Sequence, residues 1–243
     1  MPDRRKHRGP NPRDLELFAG EQLPYLRQAV ADLSLLRSMG YPENASLKLV
    51  GDRFELHQRQ RMAVARSSCS EGQAAGRRAK QVPLDPAAGQ SIEIDGFNLL
   101  ITIESALAGG IIIVGQDGAF RDIASLHGTF RSVEETIPAL ELIGAHLGRN
   151  TSVTWLLDRP VSNSGNIKRL MDELAASHGW TWQVDLVPDP DKLLKASAAT
   201  IVSADSVILD HCQRWANLAR DIILQRIPGA RVCDLRTPAG AEE

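Results

Sequence analysis

Ile92-Glu93-Ile94-Asp95-Gly96-Phe97-Asn98-Leu99-Leu100 carries a change of period within nine residues. Ile92 and Ile94 alternate with polar neighbours, which predicts a strand. From Phe97 the apolar residues recur at helical spacing, which predicts a helix over 97–108. The junction between them is Asp95-Gly96. Strand, tight turn and helix in that order are the unit of an α/β fold. The same texture continues outward. Strands are predicted at 111–114, 153–157, 181–187, 200–203 and 231–233, and helices near 133–147, 164–178, 191–197 and 205–226. Alternation of this kind predicts a mostly parallel sheet flanked by helices.

Ligands of open parallel sheets bind at the carboxyl ends of the strands. Three apolar runs deliver an aspartate there: Asp95, Asp158 after Val153-Thr154-Trp155-Leu156-Leu157, and Asp205 after Thr200-Ile201-Val202-Ser203. One such aspartate is commonly a helix cap. Three at one edge point to a shared site. Gathered carboxylates repel one another and stay ionised when a cation joins them. Oxygen ligands favour Mg2+ or Mn2+, and such an ion suits phosphodiester hydrolysis.

Ile94-Asp95-Gly96-Phe97-Asn98-Leu99-Leu100 resembles the opening strand and motif of the NYN and other PIN-like nucleases. Leu157-Asp158 is similar to their middle-strand acid. Ser203-Ala204-Asp205-Ser206-Val207-Ile208-Leu209-Asp210 is similar to their closing element. The resemblance covers residues 91–235. It implies a Rossmann-like PIN fold and a metal-dependent ribonuclease. It makes Asp95, Asp158 and Asp205 the catalytic metal ligands, Asp210 a fourth acid, and Asn98 a residue that positions the metal shell or the phosphate. It further implies RNA as partner and a homodimer. Glu104 is the candidate for the acid such enzymes carry on an early helix. The whole chain also resembles a prokaryotic domain-of-unknown-function family with a helical front module. The segment from Gln116 to Arg131 matches nothing in the nuclease pattern. Two other readings stay open: a PIN-like module that binds RNA or protein without cutting, and a phosphatase or nucleotide hydrolase. Against the last, there is no Walker loop or Gly-x-Gly-x-x-Gly, and Phe97 stands where Asp-x-Asp chemistry would want an acid.

Further substrate-binding candidates lie in loops expected at the same edge. Arg121, His127 and Arg131 belong to the unmatched segment, where guanidinium groups and freed amides suit a phosphate. Ser162, Asn163, Ser164 and Lys168 surround a predicted helix start, where anions bind well. Asp185, Asp189 and Asp191 read first as a turn and helix start, and second as metal ligands.

The front of the chain is different. Residues 1–90 hold 15 Lys and Arg against 10 Asp and Glu, and residues 91–243 hold 13 against 20. A basic front beside an acidic rear fits a polyanion-binding arm, for which Arg53, Arg59, Arg61 and Arg66 are the candidates. The expected organisation is a disordered tail over 1–13, a helical module over 14–69, a linker over 70–90, a PIN-like domain over 91–236 and a tail over 237–243. Three cysteines without metal-ligand spacing fit a reducing compartment. No apolar run approaches the roughly 20 residues of a membrane span. The expectation is a cytoplasmic protein with no membrane partner.

Overall fold

The computed structural model describes residues 6–85, 90–124 and 129–237. The helices α1 (Asp14–Leu17), α2 (Leu23–Ser38), α3 (Glu43–Arg53), α4 (Gln58–Ser67) and α5 (Glu71–Ala79) come first. Then follow β1 (Ile92–Asp95), α6 (Gly96–Leu107), β2 (Ile111–Val114), β3 (Phe120–Asp122), α7 (Thr136–Leu147), β4 (Val153–Asp158) and α8 (Ser164–His178). The chain continues through β5 (Trp182–Val187), α9 (Pro190–Ala196), β6 (Thr200–Val202), α10 (Ser206–His211), α11 (Leu218–Arg226) and β7 (Arg231–Asp234).

One sheet is parallel throughout, in the order β5-β4-β1-β6. β1 is an inner strand: Ile94 lies level with Trp155 of β4 and Val202 of β6. A smaller sheet has the order β3-β2-β7, with β2 parallel to β7 and antiparallel to β3. The fold is therefore α/β with a mostly parallel sheet flanked by helices and a helical region at the front. No described helix is long and apolar enough to cross a membrane.

α6 packs on strands of both sheets and on α7 and α11. It is buried on nearly all sides, with Phe97, Leu99, Leu100, Ile101 and Ile103 in the core, as a largely apolar helix surrounded by other elements must be. Its start explains the Asp95-Gly96 junction. A Cβ on Gly96 would stand 2.5 Å from Leu157 Cδ2 and 3.0 Å from the Leu156 carbonyl oxygen. Glycine lets α6 begin directly against β4, so the strand-end acid and the helix N-terminus share one corner.

The front of the chain departs from a module on a linker. Leu26, Val30, Leu33, Val50 and Val64 share one core with Ile111, Ile113 and Cys233 of the small sheet and with Leu235 just after it. Burying each such side chain contributes about 1.5–3 kcal/mol, so the helices are part of the same folded body. Residues 70–90 are not a linker as far as they are described. Ser70 caps α5 through a capping box with Gln73. Arg77 is buried, and Val82 N–H donates to the Trp215 carbonyl. Residues 6–13 are likewise no loose tail: Arg8 is buried against Glu104 at 2.5 Å. The helix predicted over 205–226 is broken between α10 and α11, because Trp215 is fully buried and its backbone bridges to Gln81 and Ile201.

Candidate functional site

Asp95, Asp158 and Asp205 all reach the carboxyl edge of the parallel sheet, at the ends of β1, β4 and β6. They are not equivalent. Asp95 is partly buried and accepts a 2.8 Å hydrogen bond from Ser203 Oγ. Burial pushes its pKa up to about 7; the Ser203 hydrogen bond and the Asn98 backbone oppose this, and the charges of Asp205 and Asp191 reinforce it. Asp205 caps α10, accepting from the N–H groups of Val207 (2.8 Å) and Ile208 (3.2 Å). Its own N–H donates to Ser203 Oγ at 3.0 Å. Ser203 thus links the two acids, receiving from one and donating to the other.

Asp158 sits on the flank. Burial raises its pKa, and Asp189 adds to the rise. Asp191, in the first turn of α9, is raised by burial and then by Asp205, with Asp189 and Asp158 contributing. α9 follows β5 and packs back over β1 and β4, which carries Asp191 to the Asp95 corner. Asp191 is the acid that the resemblance leaves out. Its signal in the sequence was Asp189-Pro190-Asp191 after a strand, read first as a turn. The turn is real, since Asp189 caps α9 through Lys192 N–H at 3.0 Å. Asp95, Asp191 and Asp205 act on one another's charge, and Asp158 reaches the group through Asp191. Among the described residues no three acids, histidines or cysteines already converge as a cation site.

Residues 84–221 match the family described as "Domain of unknown function (DUF5616)". The chain belongs to the DUF5616 family. All the acids just described lie inside the DUF5616 span. Residues 25–80 match a second description, "Protein of unknown function (DUF434)". A relative, "Uncharacterized protein MJ0935" of Methanocaldococcus jannaschii, is 27% identical over 185 residues, covering 76% of this chain and 88% of the relative. No solved structure matches the chain.

Within the DUF5616 span several candidates are engaged elsewhere. Asp210 accepts from Arg77 Nε at 2.6 Å and from Gln73 at 2.9 Å, so it ties α10 to α5 and does not join the other acids. Glu104 accepts from Arg8 and, at 2.6 Å, from Thr136 Oγ1, and is buried on the opposite stretch of α6. Arg121 is buried, donating to Asp117 at 2.6 Å and 2.9 Å and to the Ala204 carbonyl at 2.7 Å. It holds the loop before Asp205, so its hydrogen-bonding capacity is engaged within the chain. The unmatched segment beginning at Gln116 opens with the β2–β3 hairpin, turned by Gly118 at φ +83. His127 lies outside the described residues. Arg131 is exposed, and its carbonyl accepts from Arg8 at 2.6 Å.

The Ser162–Ser164 turn is used in packing. Phe130 N–H donates to the Ser162 carbonyl, Asn163 Nδ2 donates to the Phe130 carbonyl, and Ser164 is buried. Lys168 donates to Asp172 and to the Val184 carbonyl. Asn98 does stand at the acidic corner. Its Oδ1 accepts from Ala204 N–H at 2.9 Å.

Within the DUF434 span the four arginines do not form a free basic face. Arg59 chelates Asp14, Arg61 pairs with Asp52 and the Leu56 carbonyl, and Arg53 pairs with Asp32. Arg66 donates to the Asp122 carbonyl at 2.8 Å and borders a cavity of about 300 Å³. That cavity also touches Asn98, Thr102, Asp122, Ala204 and Asp205. It is a feature that reading the sequence missed.

Proposed function

We propose that this protein is a Mg2+- or Mn2+-dependent nuclease of the PIN-like kind that acts on RNA. The observation that carries this reading is Asp95: an acid at the end of an inner parallel strand, with a pKa pushed up to about 7 and no cationic side chain among the causes. Its neighbours Asp191 and Asp205 are further anions. An oxygen-only donor set of this charge fits a hard divalent cation. Asp95, Asp191 and Asp205 would hold it, with Asp158 alongside. When bound, such an ion supplies neutralising charge for a phosphodiester and acidifies water.

The chain's own residues have distinct tasks in this reading. Ser203 fixes the rotamer of Asp95 through its hydroxyl. Asp205 holds Ser203 in turn through its N–H. Asn98 is anchored by its oxygen, which leaves its amide N–H groups to donate to a phosphate oxygen. We place this activity in the cytoplasm, where the three buried free cysteines would stay reduced.

A second reading is a module that binds RNA without cutting. The pairing of Asp210 with Arg77 and of Glu104 with Arg8 favours it, because two acids that could complete a larger metal site are engaged elsewhere. One experiment separates the two. Wild type and Asp95→Asn are followed by thermal shift against Mn2+, and by cleavage of a fluorescent single-stranded RNA. The nuclease reading expects a Mn2+-dependent rise in Tm and cleavage in the wild type, both lost in the variant. RNA binding without cleavage at any Mn2+ concentration supports the second reading. A wild type that neither shifts with Mn2+ nor cuts overturns the first.

A further inference from the structure

The cavity of about 300 Å³ beside the acidic corner has walls of two kinds. Phe97, Ile101, Ala124 and Ala204 make it apolar, and Arg66 and Asp122 offer a donor and an acceptor side by side. Its size is at the low end for small-molecule sites, which suits one planar heterocycle better than a length of strand.

The charges argue against a phosphate. Arg121 touches the cavity but is spent on Asp117 and on the Ala204 carbonyl. That leaves Arg66 as the cation, opposed by the carboxylates of Asp122 and Asp205. An anion entering here would meet two negative groups for one positive. A neutral ring meets no such penalty. Nη1 of Arg66 is held by the Asp122 carbonyl at 2.8 Å and by its carboxylate at 3.4 Å. Its other N–H groups have no partner among the described residues. Asp122 accepts from Thr102 Oγ1 and from Ala124 N–H, so its position is fixed while lone-pair capacity remains. A base carries N–H donors and carbonyl or ring-nitrogen acceptors on its edges, and proteins read unstacked bases through such edges while packing their faces against aromatic or apolar side chains.

We propose that this cavity receives one unstacked nucleobase of the substrate strand, next to the phosphodiester presented to Asp95. The proposal rests on the nuclease reading for its placement, but not for its chemistry. Asp205 and Asn98 belong to both places: they line the cavity, while Asp205 N–H and Asp95 share Ser203 Oγ and Asn98 Oδ1 accepts from the intervening Ala204 N–H. A base seated against Ile101 would hold the adjoining backbone at the acidic edge, so the cavity would set the preferred nucleotide.

The test has a binding arm and a cleavage arm. Adenosine, guanosine, cytidine and uridine are titrated by NMR against the full chain in EDTA, with ribose and inorganic phosphate as controls. At least one nucleoside is expected to saturate, shifting the signals of Ile101 and Ala124, while ribose and phosphate do not. Ile101→Phe fills the cavity and is expected to weaken that nucleoside at least tenfold. Ala124→Leu, at a partly exposed wall, does the same if Ile101→Phe fails to fold. In the cleavage arm, Ile101→Phe is expected to cut more slowly and to lose its base preference. Phosphate or ribose binding as well as the nucleosides overturns the proposal, as does unchanged nucleoside binding in a folded cavity variant. Saturable nucleoside binding in a protein that never cuts would sink the nuclease reading and leave the cavity assignment standing. Cutting with a base preference untouched by the cavity variants would do the reverse.

Discussion

Asp95 and Asp117 are aspartates withdrawn from water beside strand ends, and their surroundings are opposite. Asp117 is buried between two guanidinium groups, Arg77 at 2.8 Å and Arg121 at 2.6 Å. Those charges overcome the cost of burial and hold its carboxyl well below the usual carboxylate range. Asp95 has a hydroxyl and two neighbouring anions, and burial holds it up near 7. The difference separates framework from site. Asp117 joins α5 to the β2–β3 hairpin, and through Arg121 it steadies the Ala204 carbonyl. Its electrostatics are complete within the chain. Those of Asp95 are incomplete, and a cation from outside would complete them.

The sharpest way to break this contrast is to remove the charge that is fully paired. Asp117→Asn leaves Arg77 and Arg121 buried with one counter-charge fewer, and losing one member of a buried ionic network costs about 3–5 kcal/mol. Urea unfolding should show a loss of that size. A loss below about 1 kcal/mol would mean that water already screens the network and that the contrast with Asp95 is not one of pairing.

The same substitution at Asp95 should act in the other direction. The folded pKa of Asp95 lies near 7, above the value of about 4 for an unfolded aspartate. Folding therefore takes up a proton between pH 4 and 7. The favourable contribution is fully present below about pH 4 and lost as pH rises towards 7. In the absence of divalent cations, Asp95→Asn should be more stable than wild type at pH 8 by roughly 2–4 kcal/mol, since each pH unit separating the folded and unfolded pKa is worth about 1.4 kcal/mol. Its stability should also fall less between pH 4 and 7. Equal pH dependence in the two proteins would remove the argument that Asp95 lacks a counter-charge.

Both acids depend on a glycine that brings backbone close. At Gly115 a Cβ would meet Arg121 Nη1 at 2.6 Å, the end of a long side chain, whereas at Gly96 it would meet Leu157 and the Leu156 carbonyl. Gly96→Ala should cost about 1–3 kcal/mol, the usual range for overpacking, and should displace Asp95 from Ser203. Thermal unfolding and RNA cleavage measured together would show it. Full activity with unchanged Tm would mean that the corner tolerates the extra methyl.

How much of this was legible in the chain depends on range. The strands and the Asp95-Gly96 junction were readable because period and turn chemistry are local. Asp158 and Asp205 were readable because strand ends in a parallel sheet share an edge. Asp210 misled, since nothing near it in sequence announces Arg77, its partner 133 residues away. Arg121 misled for the related reason that its charge is consumed by Asp117, four residues earlier but folded under a hairpin turn. Arg59 and Arg61 read as a basic arm because ion pairs with Asp14 and Asp52 cannot be seen in composition. Asp191 was hidden by a correct local reading: a turn before a helix start does not reveal that the helix packs back over β1.

Asp205 belongs to both sides of the contrast, and one substitution can divide its roles. As a cap it satisfies two N–H groups of α10, and as a charge it raises the pKa of Asp95. Serine caps a helix about as well as aspartate but carries no charge. Near pH 4, where Asp95 is protonated in the folded protein, Asp205→Ser should therefore change stability by less than about 0.5 kcal/mol, the range usual for substitutions that break no packing, cap or buried pair. It should lower the titration midpoint of Asp95, followed through its carboxyl carbon by NMR. It should also weaken Mn2+ binding, because one candidate ligand is gone. A midpoint that stays near 7 would assign the high pKa to burial and Asp191 and leave Asp205 a cap. A midpoint that falls while the helix stays intact would show that the acids of this edge act on one another, and that the contrast with Asp117 lies in the charges around each carboxylate.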